Sequence, residues 1–396
     1  MAELLCKWGL DMSDFPKFEY SMHDVKRAGE ALKGEIIWDE SRREELLEIF
    51  RIANNWIDSH GYPMYRIKTE ALAKVRACKV AGIAPARMKR MRSVRRKLAT
   101  INAKLDQIQD LGGCRVILPS IGDANLLISR FEQSAVHPRH NFKSYIDNPK
   151  PGGYRSYHAI YKFRGTEDTE VFNNRRVELQ IRTQLQHAWA TAVEAVGYLR
   201  GEELKAGRGD LDWLRLFELM SAELAMVEKC PEPLGATPRN LRVKELRDLD
   251  AKLGATTVLD AIGQAAKFTD EYVQGKEPPK FYRIEFNRKT KQVKVSPHRS
   301  PIPGMYEQHS VEQMAEESGD SSINTVLVSA DSIDELREGF PNYFGDVKMF
   351  TGTLRSVVSG NAIHEYNLPP QESVAVPKPT PIDPSWLRPG RRRRWK

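Results

Sequence analysis

The chain has 396 residues, 40% of them hydrophobic and 29% charged, a globular composition whose length suits two domains plus appendages better than one. Its formal charge is +8, but Arg388, Arg391, Arg392, Arg393, Arg394 and Lys396 supply six of those charges, so the body carries only +2 and its basicity is local rather than general. The start, MAELLCKWGLDMSDF, has no basic region followed by a long apolar one, and no apolar run reaches membrane-spanning length. Cys6, Cys78, Cys114 and Cys230 are too dispersed for a disulfide framework or a zinc site, so reduced thiols in a cytoplasm are expected.

In chain order, residues 1–40 are weakly patterned. DESRREELLEIFRIANNWIDSHG carries apolar residues at Leu46, Leu47, Phe50, Ala53 and Ile57, a helical recurrence that ends near Gly61 and Pro63. A second helix is expected at 65–80. After a basic run at 87–97 the pattern is helical into Asp110, then LGGCRVILPS reads as a short buried strand. IGDANLLISRFEQSAV is an amphipathic helix, and HPRHN a polar loop. YRSYHAIYKF and RRVELQIRT read as two strands of a hairpin. Helices follow at TQLQHAWATAVEAVGYL, at 211–228 and at 239–274, the last interrupted around Gly254. Past residue 280 a hairpin, a helix, the strand NTVLVSA and a helix capped by Ser332 form a small separate α+β unit. Residues 366–396 are proline-rich and basic, and are expected to be extended or disordered.

The chemistry concentrates in 142–190. Alternation sends Val177, Leu179 and Ile181 to one face of their strand and Glu178, Gln180 and Arg182 to the other. The same parity groups Tyr154, Ser156 and His158, so neighbouring strands would bring Tyr154, His158, Glu178 and Gln180 into one cleft. Asp110, at the entry to another strand, and Glu178 could together hold Mg²⁺, a hard ion that takes one or two carboxylates plus substrate phosphates. Lys143 and Lys150 bracket SYIDNP, and a Gly-Gly-Tyr turn follows. Glycine lets backbone N–H groups approach phosphate, lysine adds a compact charge, and the tyrosine can stack on a base. In ARMKRMRSVRRKL the basic residues occupy several helical angles, more than one solvated face can hold, so some should meet polyphosphate.

Four segments, RMKRMRSVRRKL (87–98), IQDLGGCRVIL (108–118), FKSYIDNPKPGGYRSYH (142–158) and ELQIRTQLQHAW (178–189), resemble the synthetase domain of RelA/SpoT-type enzymes in order and spacing. The resemblance implies an α+β fold, a mixed β-sheet flanked by helices related to nucleotidyltransferases, with the small C-terminal α+β domain added. It implies transfer of pyrophosphate from ATP to the 3′-hydroxyl of GDP or GTP, making ppGpp and pppGpp. By that likeness Arg87 stacks on the adenine, and Lys89, Ser93 and Lys97 bind the ATP phosphates. Asp110 and Glu178 hold Mg²⁺, Glu178 also drawing the proton from the attacking hydroxyl. Tyr154 stacks on the acceptor base, and Lys143, Lys150, His158 and Gln180 line the acceptor. Arg115 is left between a structural and a phosphate-binding role.

The chain departs from the family at Gly152, where many members carry asparagine two positions before the stacking tyrosine. Residues 1–45 are too short for the family's hydrolase module, and its long C-terminal regulatory array is absent, so a stand-alone synthetase is expected. The division expected is an N-terminal extension (1–40), the synthetase (41–230), a helical connector (231–275), the α+β unit (276–355) and the tail (356–396). Two other readings stay open. One is a toxin that modifies the tRNA 3′ end or an adenosine nucleotide to stop growth, as in phage defence; the other is a non-catalytic nucleotide-binding module. The C-terminal unit is expected to serve oligomer contact, autoinhibition or the sensing of a partner.

Overall fold

The computed structural model describes residue 10 and residues 12–361, apart from residues 102, 234–236, 266, 271–278, 288, 291, 321 and 345–346. The tail expected at 366–396 lies outside the described residues. Among those described, no helix is long and apolar enough to cross a membrane.

Three helices come first: α1 (Met22–Ala31), α2 (Arg43–Asp58) and α3 (Gly61–Ala77). α1 falls in the weakly patterned stretch, and a capping box between Ser21 and Asp24 starts it. α2 buries Leu46, Phe50, Ala53 and Ile57, the expected stripe. Pro63 sits in the first turn of α3, where its missing N–H costs no helical bond. Next come β1 (Ala86–Met88), α4 (Met91–Thr100), β2 (Gly112–Leu118), α5 (Ile121–Ser134), β3 (Arg139–Ser144), β4 (Tyr157–Lys162), β5 (Arg176–Thr183) and α6 (Gln184–Arg200). α7 (Leu211–Val227), α8 (Arg239–Leu253) and α9 (Ala255–Ala265) follow, with Gly254 at φ 58° ending α8 where the interruption was expected. The remaining elements are β6 (Lys267–Asp270), β7 (Phe281–Asn287), β8 (Gln292–His298), α10 (Pro301–Ser318), β9 (Ile323–Ser329), α11 (Ile333–Gly339), α12 (Pro341–Phe344) and α13 (Lys348–Val358).

Among the described residues nine strands form one sheet, in the order β3-β4-β5-β2-β1-β9-β7-β8-β6. β2 and β5 run parallel, as do β6 and β8, and the other pairs are antiparallel. This is the mixed, helix-flanked sheet that the sequence implies. The small C-terminal α+β unit is present, yet it does not stand apart. β9 pairs with β1, Arg87 lying opposite Val328, so the C-terminal strands extend the sheet that carries the basic run.

Four local readings change. The helix expected to run into Asp110 stops at Thr100, and only a short 3-10 turn at Leu105–Gln107 lies between it and that acid. Residues 267–270, read as the end of a helix, are a strand because β8 offers them a parallel partner. Arg139–Asn141, read as loop, begin β3 against β4. The basic run, read by helical angle, is split: Arg87 lies on β1, and only the residues from Met91 onward are helical.

Alternation along the strands divides the interior. Val177, Leu179 and Ile181 of β5 are fully buried with Leu327 of β9, in the core that α3 and α5 cover. Val326 and Val328 point the other way, into a smaller core with Ile284 and Leu336. A third core joins α6, α7, α8 and α13 around Trp213, Phe217 and Phe350. The sheet face opposite α3 and α5 is therefore the one on which the polar residues of β4 and β5 emerge.

Candidate active site

Directly paired strand residues project to one face. Register then sets two rows across the sheet. Arg87, Gly113 and Glu178 form one; Arg115, Gln180, His158 and Lys143 form the next. Gly113 brings no side chain, and a Cβ there would meet nothing nearer than 3.9 Å, so Arg87 and Glu178 flank an open floor. Above that floor lies a cleft of about 280 Å³ walled by α4, the loop before Tyr154 and Phe340. It gathers Arg87, Lys89, Ser93, Asp110, Lys150, Tyr154, His158, Glu178 and Gln180. Lys97 reaches the same place through Asp110. Lys143 stands exposed at the outer strand, beside His158.

Asp110 receives a lysine on each oxygen, Lys89 at 2.8 Å and Lys97 at 2.7 Å. Burial by itself would raise this carboxyl, but the two ammonium groups outweigh it and hold Asp110 below its ordinary range. Lys97 lies one turn beyond Ser93 on α4, so helix geometry sets both on the side facing Asp110.

Glu178 accepts from His158 Nδ1 at 2.7 Å and from Gln180 Nε2 at 2.6 Å. Burial works against its charge, yet these partners bring it down to about 2. Burial likewise works against the charge on His158, and the bond to Glu178 raises it above its ordinary value. The relay continues: His158 Nε2 meets the Tyr154 hydroxyl at 2.7 Å, and Arg182 donates to that hydroxyl at 2.5 Å. Against the effect of burial, Arg182, His158 and Lys205 lower the Tyr154 phenol to about 7.

Tyr154 is only 7% exposed. Its ring is surrounded by Tyr145, Trp189 and the cations of Lys150, Arg182 and Lys205, all within 6.3 Å of its centre. The turn before it depends on Gly153, at φ 88°, where a Cβ would come within 2.7 Å of Ser221 Cβ. Gly153→Ala is expected to lose about 1–3 kcal/mol in urea denaturation, and a loss under about 0.5 kcal/mol would show that the turn relaxes freely. Gly152, the position that departs from the family, has nothing within 4 Å of its would-be Cβ, so the backbone there does not itself demand glycine for want of space at Cβ.

Sequence reasoning missed three groups, Lys205, Glu194 and Tyr343, and left Arg115 undecided. Arg115 faces the cleft beside Gln180, a position that alternation along GGCRVIL already marked. Burial drops its pKa to about 9, and its NH1 donates to the Gly339 carbonyl at 3.3 Å. Lys205 pairs with Glu194, whose carboxyl stays well below its ordinary range, against the effect of burial, because Lys205, Arg115 and Arg87 surround it. Tyr343 accepts from Arg87 NH1 at 3.2 Å. Lys205, Glu194 and Tyr343 carried no local sequence signal.

The donor set fits a hard divalent ion: two carboxylates held ionised in one cleft, with coordination positions left for phosphate oxygens and water. Among the described residues there is no cluster of three or more His, Cys, Asp or Glu side chains placed as ligands, so the protein alone would not complete such a shell.

The fold is α+β, a mixed sheet flanked by helices that presents two acids and convergent lysines in one cleft. Residues 86–202 match the model described as the region found in RelA / SpoT proteins, and the chain carries a RelA/SpoT-type domain. It is 27% identical to the GTP pyrophosphokinase of Escherichia coli K12 over 145 residues, which is 35% of this chain and 18% of that protein. It is 31% identical to the GTP pyrophosphokinase YwaC of Bacillus subtilis over 93 residues, 24% of this chain and 44% of that one. The chain thus spans about a fifth of the E. coli relative and under half of the B. subtilis one. Among solved structures it is similar to the small alarmone synthetase 1 of B. subtilis bound to pppGpp, with 18% identity and a TM-score of 0.37 over 44% of this chain and 91% of that one.

Proposed function

We propose that the protein is a Mg²⁺-dependent pyrophosphokinase that moves the β,γ-pyrophosphate of ATP to the 3′-hydroxyl of GDP or GTP. The observation that carries this reading is the convergence of Lys89, Lys97 and Asp110 with the Glu178–His158 pair in one cleft. In the reaction the acceptor 3′-oxygen bonds to the β-phosphorus, the bond from that phosphorus to the oxygen bridging the α-phosphorus breaks, and AMP leaves. Lys89, Ser93 and Lys97 bind and orient the donor phosphates, as positioning and charge neutralisation require. When bound, the metal would draw on Asp110 and Glu178 and neutralise developing phosphate charge. A carboxylate held near 2 is a weak base, so Glu178 orients the hydroxyl and supplies charge more than it pulls the proton. His158, donating from Nδ1 to Glu178, and Tyr154 behind it hold that carboxylate in place, and the hydroxyl proton is released to water as the new bond forms. On this reading residues 41–230 form the synthetase body, 231–275 connect it to 276–355, and the latter act on the donor side.

Incubating the purified protein with γ-labelled ATP and GDP, GTP, AMP or deacylated tRNA tests the acceptor. Label is expected on GDP or GTP. Label on tRNA or AMP alone would favour the toxin reading, and no transfer at all would favour a binding module.

The Arg87–Tyr343 bond gives a second test. The guanidinium assigned to the adenine is held by a C-terminal hydroxyl, so donor binding competes with that bond. Tyr343→Phe is expected to lower KM for ATP about threefold to tenfold, the scale of one hydrogen bond to a charged group. A raised KM would instead make the hydroxyl part of the donor site. Deleting the C-terminal unit is a poorer test, because it would strip β1 of its β9 partner.

A further inference from the structure

α4 carries two of the proposed donor ligands but begins without a side-chain cap of its own, since Arg90 at its N-cap makes no such bond. The first N–H groups of a helix need acceptors from outside it. Here the Met91 N–H donates to Glu312 Oε2 of α10, at 3.4 Å. One turn further along each helix, Arg95 pairs with Glu316. Two acids spaced four apart on α10 therefore meet two positions spaced four apart on α4.

Glu312 is itself held in place. Gln308 Nε2 donates to Glu312 Oε1 at 3.4 Å, and Gln308 Oε1 accepts from the Leu327 N–H of β9 at 2.6 Å. His309, on the same turn of α10, lies 3.4 Å from Asp58 of α2. The chain of contacts runs from β9 through Gln308 and Glu312 to the start of α4. β9 also pairs with β1, the strand of Arg87. Both halves of the basic run are thus tied to the C-terminal unit, by backbone at Arg87 and by carboxylates at Met91 and Arg95.

We propose that Glu312 is a positioning residue of the donor side: from α10 it caps α4 and, with Glu316, fixes the helix that presents Ser93 and Lys97 to the donor phosphates. The side chain serves this place first as an acceptor for a free N–H. Burial pushes its carboxyl up to about 7, with His309 and Arg90 pulling the other way, so its negative charge at the positive end of the helix is only partial at neutral pH. Glutamine keeps the acceptor and loses the charge; alanine loses both. The proposal rests on the ATP-dependent reading of the cleft, and its test separates the two.

Glu312→Ala and Glu312→Gln are compared with the full wild-type chain in three measurements. These are hydrogen exchange of amides 91–95, calorimetric binding of ATP and GDP, and the split between KM and kcat. In Glu312→Ala, exchange should rise and KM and Kd for ATP should increase about fivefold to tenfold, the scale of a lost cap. GDP affinity should stay within about twofold and kcat within about threefold, and Glu312→Gln should recover most of the loss. Unchanged exchange in Glu312→Ala overturns the proposal. So does a parallel loss of ATP and GDP affinity that glutamine does not relieve, which would mean general packing damage. If the wild-type chain binds no ATP, the reading of the cleft fails, and the exchange measurement still decides whether Glu312 caps α4.

Discussion

Glu178→Gln is expected to lower pyrophosphoryl transfer by about a thousandfold or more while the protein stays folded, the scale of removing an electrostatic group aimed at the reacting centre. The side chain lies mid-strand on β5, in the row with Gly113 and Arg87, and glutamine fills the same volume. What disappears is the charge that His158 and Gln180 stabilise and that a metal would use. The same substitution has a signature in acid. Because the folded carboxyl titrates at about 2 rather than 4.5, it contributes stability above pH 4.5 that is lost as the pH falls towards 2. Glu178→Gln should flatten that part of the acid denaturation curve. With its partner charge gone, the upward pull on His158 goes too, so the histidine should titrate lower in the variant by NMR. Near-wild-type turnover in Glu178→Gln would remove Glu178 from the site.

Glu228→Ala is expected to cost about 3–5 kcal/mol, the penalty for stranding a buried charge. The Glu228 side chain is 5% exposed and that of its partner Arg155 is 2% exposed, with 2.5 Å between them. Glu228 also accepts from Thr183, the cap of α6, and from Gln186. It therefore ties the end of α7 to the end of β5 and to the residue next to Tyr154. Urea denaturation should show the loss, and acceptor binding should weaken before donor binding does. Replacing both partners by leucine and methionine should restore much of the stability, since an apolar pair leaves no charge unpaired. A loss under about 1 kcal/mol in Glu228→Ala would mean that water reaches Arg155 and the pair is not sealed.

Legibility in the sequence followed the range of the interactions. The alternation of β5 was readable because one of its faces is sealed against α3 and α5 and the other opens to the cleft, so each residue type reports its side. His158 with Gln180 followed from the same parity once the strands were neighbours. The division of the basic run was not readable. β1 has three residues, too few to show a period, and it exists because β2 and β9 pair with it on both sides. Lys68 makes the same point: its amine is sealed in α3 and reaches Asp331 at 2.9 Å, a bond between distant parts of the chain that no local pattern announces. Tyr343 beside Arg87 belongs to the same class. Such contacts are set by topology, and the hydropathy of either segment is silent about them.

The β1–β9 pairing also orders events while the chain is being made. Arg87 and Val328 are joined across about 240 residues, so at roughly 5–20 residues per second the partner of β1 leaves the ribosome some 12–48 seconds after β1 itself. During that interval the strand with Arg87 has one bare edge, and α4 has no Glu312 at its start. β1 and the start of α4 therefore gain their C-terminal partners only with the last strand of the sheet, and on the proposed function the donor half is completed after the acceptor half.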